Sequence, residues 1–462
     1  MKNSKPKKHY DAIVIGSGGG SKLTRPIASL GKKVAIIEKG KLGGTCLNHG
    51  CIPSKMLIHS ADVMTQIRNA GRFEIDVNQE DIKVRFKELV DRVTKEIDAE
   101  SDSIQPLYDD NPNIDFYPTT ARFIDNKTIE VDDDYLTADN IFIAAGARPN
   151  IPEIPGLSET NYMTYFEALR RQDQPKSLIV LGAGYIATEL GYFFGALGTE
   201  VTFIVRSELL RPEDKEIKAE FKREFEKQFK VIYGEVEQFS TKDGLKRCQV
   251  KTHSGEIEEV EATDVLVATG VMPNTDILEI ENTDIKCNED GYIQVNDQLE
   301  TTVPNVWAFG DIIGRNFFRH SANFEGEYLF NNLYKNKESI PIHYPPVPHA
   351  VFTHPQVASV GKTEETLKKE GIAYLKGVNK YKQSAMGMAL RSESGLVKVL
   401  FDKSTEKLIG AHIVGDEASN MIHMLIAFMV MGATISDIKR MIYIHPALPE
   451  IVRNAVRNIP SK

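Results

Sequence analysis

Two sets of short apolar runs dominate the pattern of this 462-residue chain, and within two residues each run gives way to a glycine or a charged residue. Continuous apolar runs without polar alternation are typical of parallel strands buried on both faces of a sheet. The first set comprises residues 12–15, 34–37 and 141–145, and the second comprises residues 178–181, 201–205 and 265–268. We therefore predict an α/β fold with two doubly wound halves that repeat one arrangement.

The C-terminal quarter of the chain has a different pattern. A proline-rich segment at residues 341–348 marks its boundary, and residues 150–156 have linker character between the two halves. Beyond the boundary, residues 396–400 predict a strand and residues 419–432 predict an apolar helix. The chain length suits roughly three domains, of which we expect the last to be α+β.

Composition and charge exclude several classes of protein. The net charge of −9 argues against nucleic acid as a partner. No run of about 18 apolar residues is present, so we expect no membrane span. The basic start at residues 2–8 is followed by too short an apolar run for a secretory signal. Four cysteines are too few for a disulfide scaffold, and they indicate a reducing, cytoplasmic compartment.

Cys46 and Cys51 are the strongest chemical signal. Four residues separate them, and on a helical turn that spacing places both sulfurs on one face, close enough to form a disulfide. Zinc binding is the alternative, but a zinc site usually needs a second closely spaced pair of ligands, and Cys248 and Cys287 are isolated. We therefore interpret the pair as redox-active and expect no metal site.

A glycine-rich turn follows the first apolar run. Gly16 permits a tight turn, and Gly18 lets backbone amides approach a pyrophosphate at a helix N-terminus. Glu38 ends the second run, at the place where a carboxylate binds the hydroxyls of a ribose. The third position of the signature is Ser21 instead of glycine or alanine, so a glycine-rich turn beside a surface glutamate is the alternative.

A second glycine signature opens the second half of the chain at Gly182 and Gly184. The next apolar run ends at Arg206 without a carboxylate at the ribose position, and Arg211 follows. Two guanidinium groups suit a 2′-phosphate, so we expect NADP(H) to be preferred over NAD(H). Glu208 lies between the two arginines, and ordinary surface charge is the alternative interpretation.

His445 and Glu450 form the fourth candidate site, near the C-terminus. A thiol–disulfide enzyme needs a base that holds and releases the thiol proton, and a carboxylate can orient an imidazole for that task. A structural histidine is the alternative. His343, His349 and His354 also fall close together, but the prolines between them favour loop packing over a metal site.

Residues 43–55, with the sequence GGTCLNHGCIPSK, resemble the redox segment of the class I flavoprotein pyridine nucleotide-disulfide oxidoreductases. The resemblance covers nearly the whole chain. Residues 182–187 followed by Arg206 look like glutathione reductase, whereas residues 444–450 look like mycothione reductase. Residues 46–55 look most like dihydrolipoyl dehydrogenase.

This resemblance implies FAD as the bound cofactor and a homodimer formed by the C-terminal domain. Lys55 and Glu189 would pair beside the flavin, and Asp311 would bind its ribityl chain. Tyr185 would shield the nicotinamide pocket. His445 of one subunit would serve the active site of the other.

The expected fold is therefore α/β, with two doubly wound dinucleotide-binding domains plus a C-terminal α+β dimerisation domain. The predicted boundaries are a FAD-binding domain at residues 1–150, an NAD(P)-binding domain at 151–272, a second FAD-binding or central part at 273–344, and a dimerisation domain at 345–462. The expected catalytic residues are Cys46, Cys51, His445 and Glu450. The expected cofactor contacts are Gly16, Gly18, Glu38, Gly44, Thr45, Lys55, Gly146, Gly182, Gly184, Tyr185, Ile186, Glu189, Arg206, Arg211, Gly270, Gly310 and Asp311.

The predicted function is reduction of a low-molecular-weight disulfide by NADPH, with FAD and the Cys46–Cys51 pair as the electron carriers. One alternative is a dihydrolipoyl dehydrogenase that oxidises a dithiol with NAD. Another alternative is a flavin-binding redox sensor with little turnover. The last residues, 458–462, hold no cysteine, which argues against the mercuric reductase and large thioredoxin reductase types.

Overall fold

The computed structural model describes residues 7–336 and 340–460. Most of the basic start discussed above, and the last two residues, therefore lie outside the described chain. The chain divides into two compact units. Unit 1 holds the described parts of residues 1–54, 89–150 and 270–343, and unit 2 holds the described parts of residues 55–88, 151–269 and 344–462. The division into four predicted segments stays a prediction, because the second nucleotide-binding part and the C-terminal part both fall in unit 2.

Strands and helices alternate along much of the described chain. The strands are β1 (Lys7–Ile15), β2 (Val34–Ile37), β3 (Ile114–Tyr117), β4 (Arg122–Phe123), β5 (Thr128–Val131), β6 (Asp134–Ile143), β7 (Ala147–Pro149), β8 (Ser177–Leu181), β9 (Glu200–Val205), β10 (Lys230–Lys242), β11 (Leu245–Thr252), β12 (Ile257–Ala262), β13 (Asp264–Val267), β14 (Val271–Pro273), β15 (Val306–Ala308), β16 (Pro348–Val351), β17 (Gln356–Gly361), β18 (Tyr374–Lys380), β19 (Leu396–Asp402) and β20 (Leu408–Gly415). The α-helices are α1 (Ser21–Ser29), α2 (Gly44–His49), α3 (Cys51–Arg68), α4 (Phe86–Asp102), α5 (Ile104–Asp109), α6 (Tyr165–Ala168), α7 (Tyr185–Ala196), α8 (Lys215–Phe225), α9 (Arg319–Phe330), α10 (Glu364–Lys369), α11 (Ala385–Ala389), α12 (Ala418–Val430), α13 (Ile435–Arg440) and α14 (Pro449–Arg457).

The main sheet of unit 1 is built around the first apolar run. Among the described residues its strand order is β3-β2-β1-β6-β5-β4, and β15 pairs with β6. Strands β1, β2, β3, β6 and β15 are parallel to their neighbours in this group, and residues 12–15 and 34–37 are buried in the sheet. Because parallel strands end at the same edge, the first glycine turn and Glu38 lie at one edge of the sheet.

Unit 2 repeats this arrangement in its first sheet. The described strands have the order β12-β11-β10-β9-β8-β13, with β8 parallel to both β9 and β13. Strand β10 pairs with β9 in parallel, and β11 and β12 then continue the sheet as antiparallel neighbours. The second glycine turn follows β8, at the same relative position as the first turn after β1.

The C-terminal part of unit 2 contains an antiparallel sheet with the order β16-β17-β20-β19-β18 in the described chain. The predicted strand at 396–400 lies in β19, and the predicted apolar helix corresponds to α12. Helices α12 and α14 bury their apolar faces against this sheet in one core cluster. The predicted fold class, two α/β halves and a C-terminal α+β part, is confirmed. None of the described helices has both the length and the hydropathy that crossing a bilayer requires.

Candidate active site

The first glycine turn joins the buried strand β1 to helix α1. Gly16 has a φ of +98°, and a Cβ atom there would lie 2.3 Å from the carbonyl oxygen of Ala144, so this position requires glycine. A Cβ atom at Gly18 would meet its nearest neighbour, Nη1 of Arg319, at 3.5 Å, which is an ordinary van der Waals contact. The Ser21 hydroxyl donates to the Gly18 carbonyl at 2.8 Å and closes the first turn of α1. A helix N-terminus that follows such a glycine turn is a binding site for an anion such as a pyrophosphate.

Glu38 follows β2 and faces the same turn. Its Oε2 atom accepts hydrogen bonds from the backbone amide and the hydroxyl of Ser17, both at 2.9 Å, and its Oε1 atom accepts from the Gly40 amide at 2.9 Å. These bonds hold the carboxylate at the edge of the sheet beside the glycine turn. A carboxylate has about four lone-pair sites, so it can still accept from ribose hydroxyls.

Cys46 and Cys51 lie on two successive helices rather than on one. Cys46 belongs to α2, Cys51 is the first residue of α3, and Gly50 breaks the helix between them with φ −146° and ψ −121°. A Cβ atom at Gly50 would lie 2.9 Å from the carbonyl oxygen of Thr45, so the break brings the backbone close. The spacing predicted one helical turn for the pair, and the structure instead divides the pair between two helices, although the two thiols still share a hydrogen bond.

The electrostatic surroundings of Cys46 include a cation that sequence reasoning did not assign. The hydrogen bond with Cys51 and then burial raise the pKa of the Cys46 thiol, whereas the charge of Arg319 lowers it. Arg319 opens helix α9, and its Nη1 atom lies 3.5 Å from the carbonyl oxygen of Gly43. Gly44, at the start of α2, lies close to the first glycine turn, because a Cβ atom at Gly44 would lie 2.5 Å from the Cα atom of Gly18.

Asp311 lies in the short turn after β15. Burial and then the charge of Glu325 raise the pKa of its carboxyl to about 6. Gly310 adopts a φ of +75°, and its amide donates to Glu325 at 2.6 Å. Within the described chain no side chain donates a hydrogen bond to the Asp311 carboxylate, so a ligand hydroxyl would find an acceptor there.

These residues of unit 1 fit FAD. The glycine turn at the N-terminus of α1 suits its pyrophosphate, Glu38 suits a ribose, and the under-satisfied Asp311 carboxylate suits a ribityl hydroxyl. Thr45 is exposed in the first turn of α2. Gly146 and Gly270 have positive φ values and no atom within 4 Å of a would-be Cβ, so a ligand can approach both backbones closely.

The second glycine turn, in unit 2, has the same construction as the first. Gly182 has a φ of +132°, and a Cβ atom there would lie 2.2 Å from the carbonyl oxygen of Ala268. Gly184 has open space around it and forms the N-cap of α7. Tyr185 and the exposed Ile186 are the first two residues of that helix. The turn therefore offers a second site at which a pyrophosphate can bind.

Arg206 and Arg211 flank the loop that follows β9, and both are exposed. Glu208, which lies between them in sequence, forms an ion pair with Lys218 at 2.9 Å. In the part of the chain that the structure describes, no carboxylate pairs with either arginine. Their positive charges are therefore available to an anionic ligand.

Lys55 and Glu189 are close together in unit 2. The Lys55 ammonium lies 2.6 Å from Oε2 of Glu189, and the Phe352 amide donates to Oε1 of the same carboxylate at 3.0 Å. The ammonium also lies 4.7 Å from the centre of the Phe352 ring. Glu189 is almost fully buried, so both partners hold the lysine in one position.

His445 and Glu450 also lie in unit 2. The Nδ1 atom of His445 lies 3.0 Å and 3.1 Å from the two carboxylate oxygens of Glu450. Glu450 also accepts a hydrogen bond from the Ala447 amide and forms an ion pair with Arg453 at 2.8 Å. Burial would raise the pKa of the Glu450 carboxyl, but His445, Ala447 and Arg453 together lower it. The ionised carboxylate thus engages Nδ1 of a ring whose side chain is 70% exposed, which leaves Nε2 available for proton transfer.

Sequence reasoning did not assign a role to Glu213 or Arg319. Glu213 is buried in a loop before α8 and contacts His349, one of the three histidines expected to pack in a loop. Neither residue belongs to a recognisable motif, so no sequence signal pointed to them. Among the described residues, no group of three or more His, Cys, Asp or Glu side chains is arranged to hold a metal ion.

Comparison with known proteins agrees with this assembly of motifs. The family model for pyridine nucleotide-disulphide oxidoreductases matches residues 10–326, and the model for the dimerisation domain of that family matches residues 347–456. Mycothione reductase from Mycobacterium tuberculosis is 36% identical over 464 residues, covering 97% of this chain and 98% of that protein. Mitochondrial dihydrolipoyl dehydrogenase 1 from Arabidopsis thaliana is 33% identical over 459 residues, covering 96% and 89%.

A solved structure is similar along nearly the whole chain. The HOCl-induced flavoprotein disulfide reductase RclA from Escherichia coli superposes with a TM-score of 0.85 at 26% identity, covering 97% of this chain and 99% of that one. This chain therefore belongs to the pyridine nucleotide-disulphide oxidoreductase family, whose members are FAD-containing enzymes.

Proposed function

We propose that this chain is an NADPH-dependent disulfide reductase that acts on a low-molecular-weight disulfide through Cys46 and Cys51. The observation that carries the proposal is the pair of hydrogen-bonded thiols at the start of α2 and α3, in a chain that also holds the His445–Glu450 pair. Bound FAD would supply two-electron transfer between the nicotinamide and this pair of cysteines. Gly18, Glu38 and Asp311 would hold it.

The thiol chemistry starts from the reduced pair. The Cys46 thiolate attacks one sulfur of the substrate disulfide, so that a mixed disulfide forms and the first substrate thiolate leaves. His445 donates a proton to that leaving group, and Glu450 holds the imidazole in the required orientation. The Cys51 thiolate then attacks the Cys46 sulfur, which forms the Cys46–Cys51 disulfide and releases the second substrate thiolate.

We assign NADP(H) as the preferred coenzyme. Arg206 and Arg211 follow the strand next to the second glycine turn, and Lys218 neutralises the intervening Glu208. A 2′-phosphate would meet two cations there and no unpaired carboxylate. Lys55 and Glu189 would act beside the flavin, and Tyr185 would cover the nicotinamide.

A second candidate function is NAD-linked oxidation of a dithiol, because residues 46–55 look most like dihydrolipoyl dehydrogenase. The Arabidopsis protein of that name is 33% identical to this chain. The same cysteines and the same histidine would then work in reverse. Coenzyme preference separates the two functions, since a strong preference for NAD would favour the second.

We also propose a cytoplasmic homodimer. The support for the dimer is the match of residues 347–456 to the family's dimerisation domain. The support for the compartment is the low number of cysteines, of which two belong to the proposed redox pair.

The experiment that tests the function compares the wild type with Cys46→Ser. Steady-state rates are measured with NADPH and NADH against glutathione disulfide, lipoamide and other low-molecular-weight disulfides. Cys46→Ser should keep bound FAD and its reduction by NADPH but lose disulfide reduction. Cys287→Ser is the matched control, because Cys287 is a free cysteine outside the proposed site, and it should retain wild-type rates. Normal turnover by Cys46→Ser would refute the redox pair, and negligible wild-type turnover with every disulfide would favour the redox sensor.

A further inference from the structure

The hydroxyl of Tyr185 does not point freely into solvent. It donates a hydrogen bond to Oε1 of Glu213 at 2.8 Å, and the Tyr185 ring stacks on His349 with a centroid distance of 5.7 Å and an interplanar angle of 19°. His349 contacts the same carboxylate through Nε2 at 2.7 Å, and the Ser359 hydroxyl donates to Oε2 at 2.6 Å. Three side chains from three separate segments thus meet at one buried carboxylate.

Glu213 is itself held rigidly. Its side chain has no exposed surface. Burial would raise the pKa of its carboxyl, but His349, Ser359 and Tyr185 together lower it, so the group is an anion that accepts hydrogen bonds. The next residue, Asp214, accepts two hydrogen bonds at 2.9 Å from Lys398, and both of those side chains are fully buried.

The loop between β9 and α8, which carries Glu213 and Asp214, is hydrogen-bonded to the second glycine turn. The Leu210 amide donates to the carbonyl oxygen of Ala183 at 2.9 Å, and the Glu213 amide donates to the carbonyl oxygen of Leu210 at 2.9 Å. Tyr185 follows the open N-cap Gly184 directly. The carboxylate, the tyrosine and the turn that would hold a pyrophosphate therefore form one connected structure within unit 2.

We propose that Glu213 is a positioning residue that holds Tyr185 in a closed position over the nicotinamide site. The inference rests on the proposed function, in which a nicotinamide nucleotide binds at the second glycine turn. The nicotinamide ring would displace the tyrosine and break its charge-assisted hydrogen bond to Glu213. A ligand that contains only the adenosine half would leave the bond intact. The hydrogen bond between Tyr185 and Glu213 thus lowers the affinity for the whole nicotinamide nucleotide but not for its adenosine half.

The test measures the dissociation constants of NADP⁺ and of 2′,5′-ADP, which lacks the nicotinamide, with the FAD-loaded protein. Tyr185→Phe removes the hydroxyl and should tighten NADP⁺ binding about tenfold, as expected for loss of a hydrogen bond to a charged group, while 2′,5′-ADP binding stays unchanged. Glu213→Gln keeps a neutral acceptor and should tighten NADP⁺ binding less. The two effects should not add in the double variant, because both substitutions act on the same hydrogen bond.

Tyr374→Phe is the matched control. Tyr374 donates a hydrogen bond to Glu364 at 2.7 Å in the same unit, so its removal deletes a bond of the same kind in the C-terminal sheet. It should change the affinity for neither ligand. If Glu213→Gln does not fold, Tyr185→Phe alone decides the outcome.

Unchanged or weaker NADP⁺ binding by Tyr185→Phe would overturn the inference, and so would equal changes for NADP⁺ and 2′,5′-ADP. Failure of the proposed function has a different signature. If the wild type binds NAD⁺ more tightly than NADP⁺, the coenzyme assignment fails, and the pair NAD⁺ and ADP then tests the same bond. If no disulfide is reduced, the two dissociation constants still decide the role of Glu213.

Discussion

Asp311 is a residue whose charge this fold does not stabilise by itself. Burial and the charge of Glu325 raise the pKa of its carboxyl to about 6. The nearby Gly310 amide, which could have served it, donates to Glu325 instead. A ribityl hydroxyl that donates a hydrogen bond to Asp311 would reduce the free-energy cost of ionising this buried carboxyl. This gives a physical reason for the role that the family resemblance assigns to Asp311.

Asp311→Asn should stabilise the flavin-free protein at neutral pH and weaken its binding of FAD. A carboxyl whose folded pKa is raised contributes stability below its ordinary pKa of 3.8 and loses that contribution as the pH rises through about 6. Asparagine does not ionise, so the gain in the free energy of unfolding should grow between about pH 4 and pH 6, level off above that range and reach about 2–3 kcal/mol. Urea unfolding at several pH values measures it.

Asp402→Asn is the control of opposite sign. Hydrogen bonds from Ser404 and Thr405 hold the pKa of the Asp402 carboxyl below its usual range. Its contribution to stability is present above the ordinary pKa and is lost as the pH falls, so this variant should be destabilised at neutral pH and less so in acid. A difference between wild type and Asp311→Asn that does not vary with pH would contradict the assignment for Asp311.

Among the elements, the loop between β9 and α8 combines several tasks in a short segment. Arg206 and Arg211 supply exposed positive charge, and Glu213 accepts the hydrogen bond of Tyr185. Asp214 caps α8 by accepting from the Glu216 amide at 3.0 Å. The cap and the buried contacts hold the loop in place, so the arginines extend from a rigid base.

The double variant Arg206→Ala, Arg211→Ala should lose most of its preference for NADPH. Each charge-assisted contact to a 2′-phosphate is worth roughly 1.5–3 kcal/mol, or about tenfold to hundredfold in the ratio of NADPH to NADH kcat/KM per arginine. The matched control is Arg223→Ala, Lys227→Ala, which removes equal charge from side chains that pair with Glu224. An unchanged ratio in the first double variant would exclude 2′-phosphate recognition by these arginines.

For the whole molecule, the C-terminal region exposes apolar side chains that a lone subunit would leave in water. Ile442 is 99% exposed and Ile444 is 81% exposed, next to His445. Met431 and Val430, at the end of α12, are also largely exposed. Apolar surface of this kind marks an interaction site, and the match to the family's dimerisation domain supports the homodimer proposed above.

Mixing two inactive chains should restore activity if each active site is shared between subunits. Cys46→Ser chains and His445→Ala chains are unfolded and refolded together with FAD. A mixed dimer would hold one site with both defects and one site with neither, so disulfide reduction should return to a substantial fraction of the wild-type rate. Each variant refolded alone is the control. If mass spectrometry detects mixed dimers but they are inactive, each site is built within one chain.

The sequence by itself determined the features whose physical cause is local. Continuous apolar runs predicted the parallel strands β1, β2, β8 and β9, because a strand buried on both faces tolerates no polar alternation. Gly16 and Gly182, the first glycines of the two turns, were identifiable because only glycine fits a positive φ against a neighbouring carbonyl. The Cys46–Cys51 pair was identifiable because its chemistry depends on short spacing. These features supported the fold class and the family.

The tertiary structure decided which distant side chains meet. Tyr185 and Glu213 are 28 residues apart, and His349 is 136 residues from Glu213, so no periodic pattern links them. Lys398 lies within residues 396–400, whose apolar pattern predicts a strand, yet its buried ammonium pairs with Asp214. Such pairs exist because burial in a packed interior makes an unpartnered charge costly, and the packing of separate segments determines which partner is within reach.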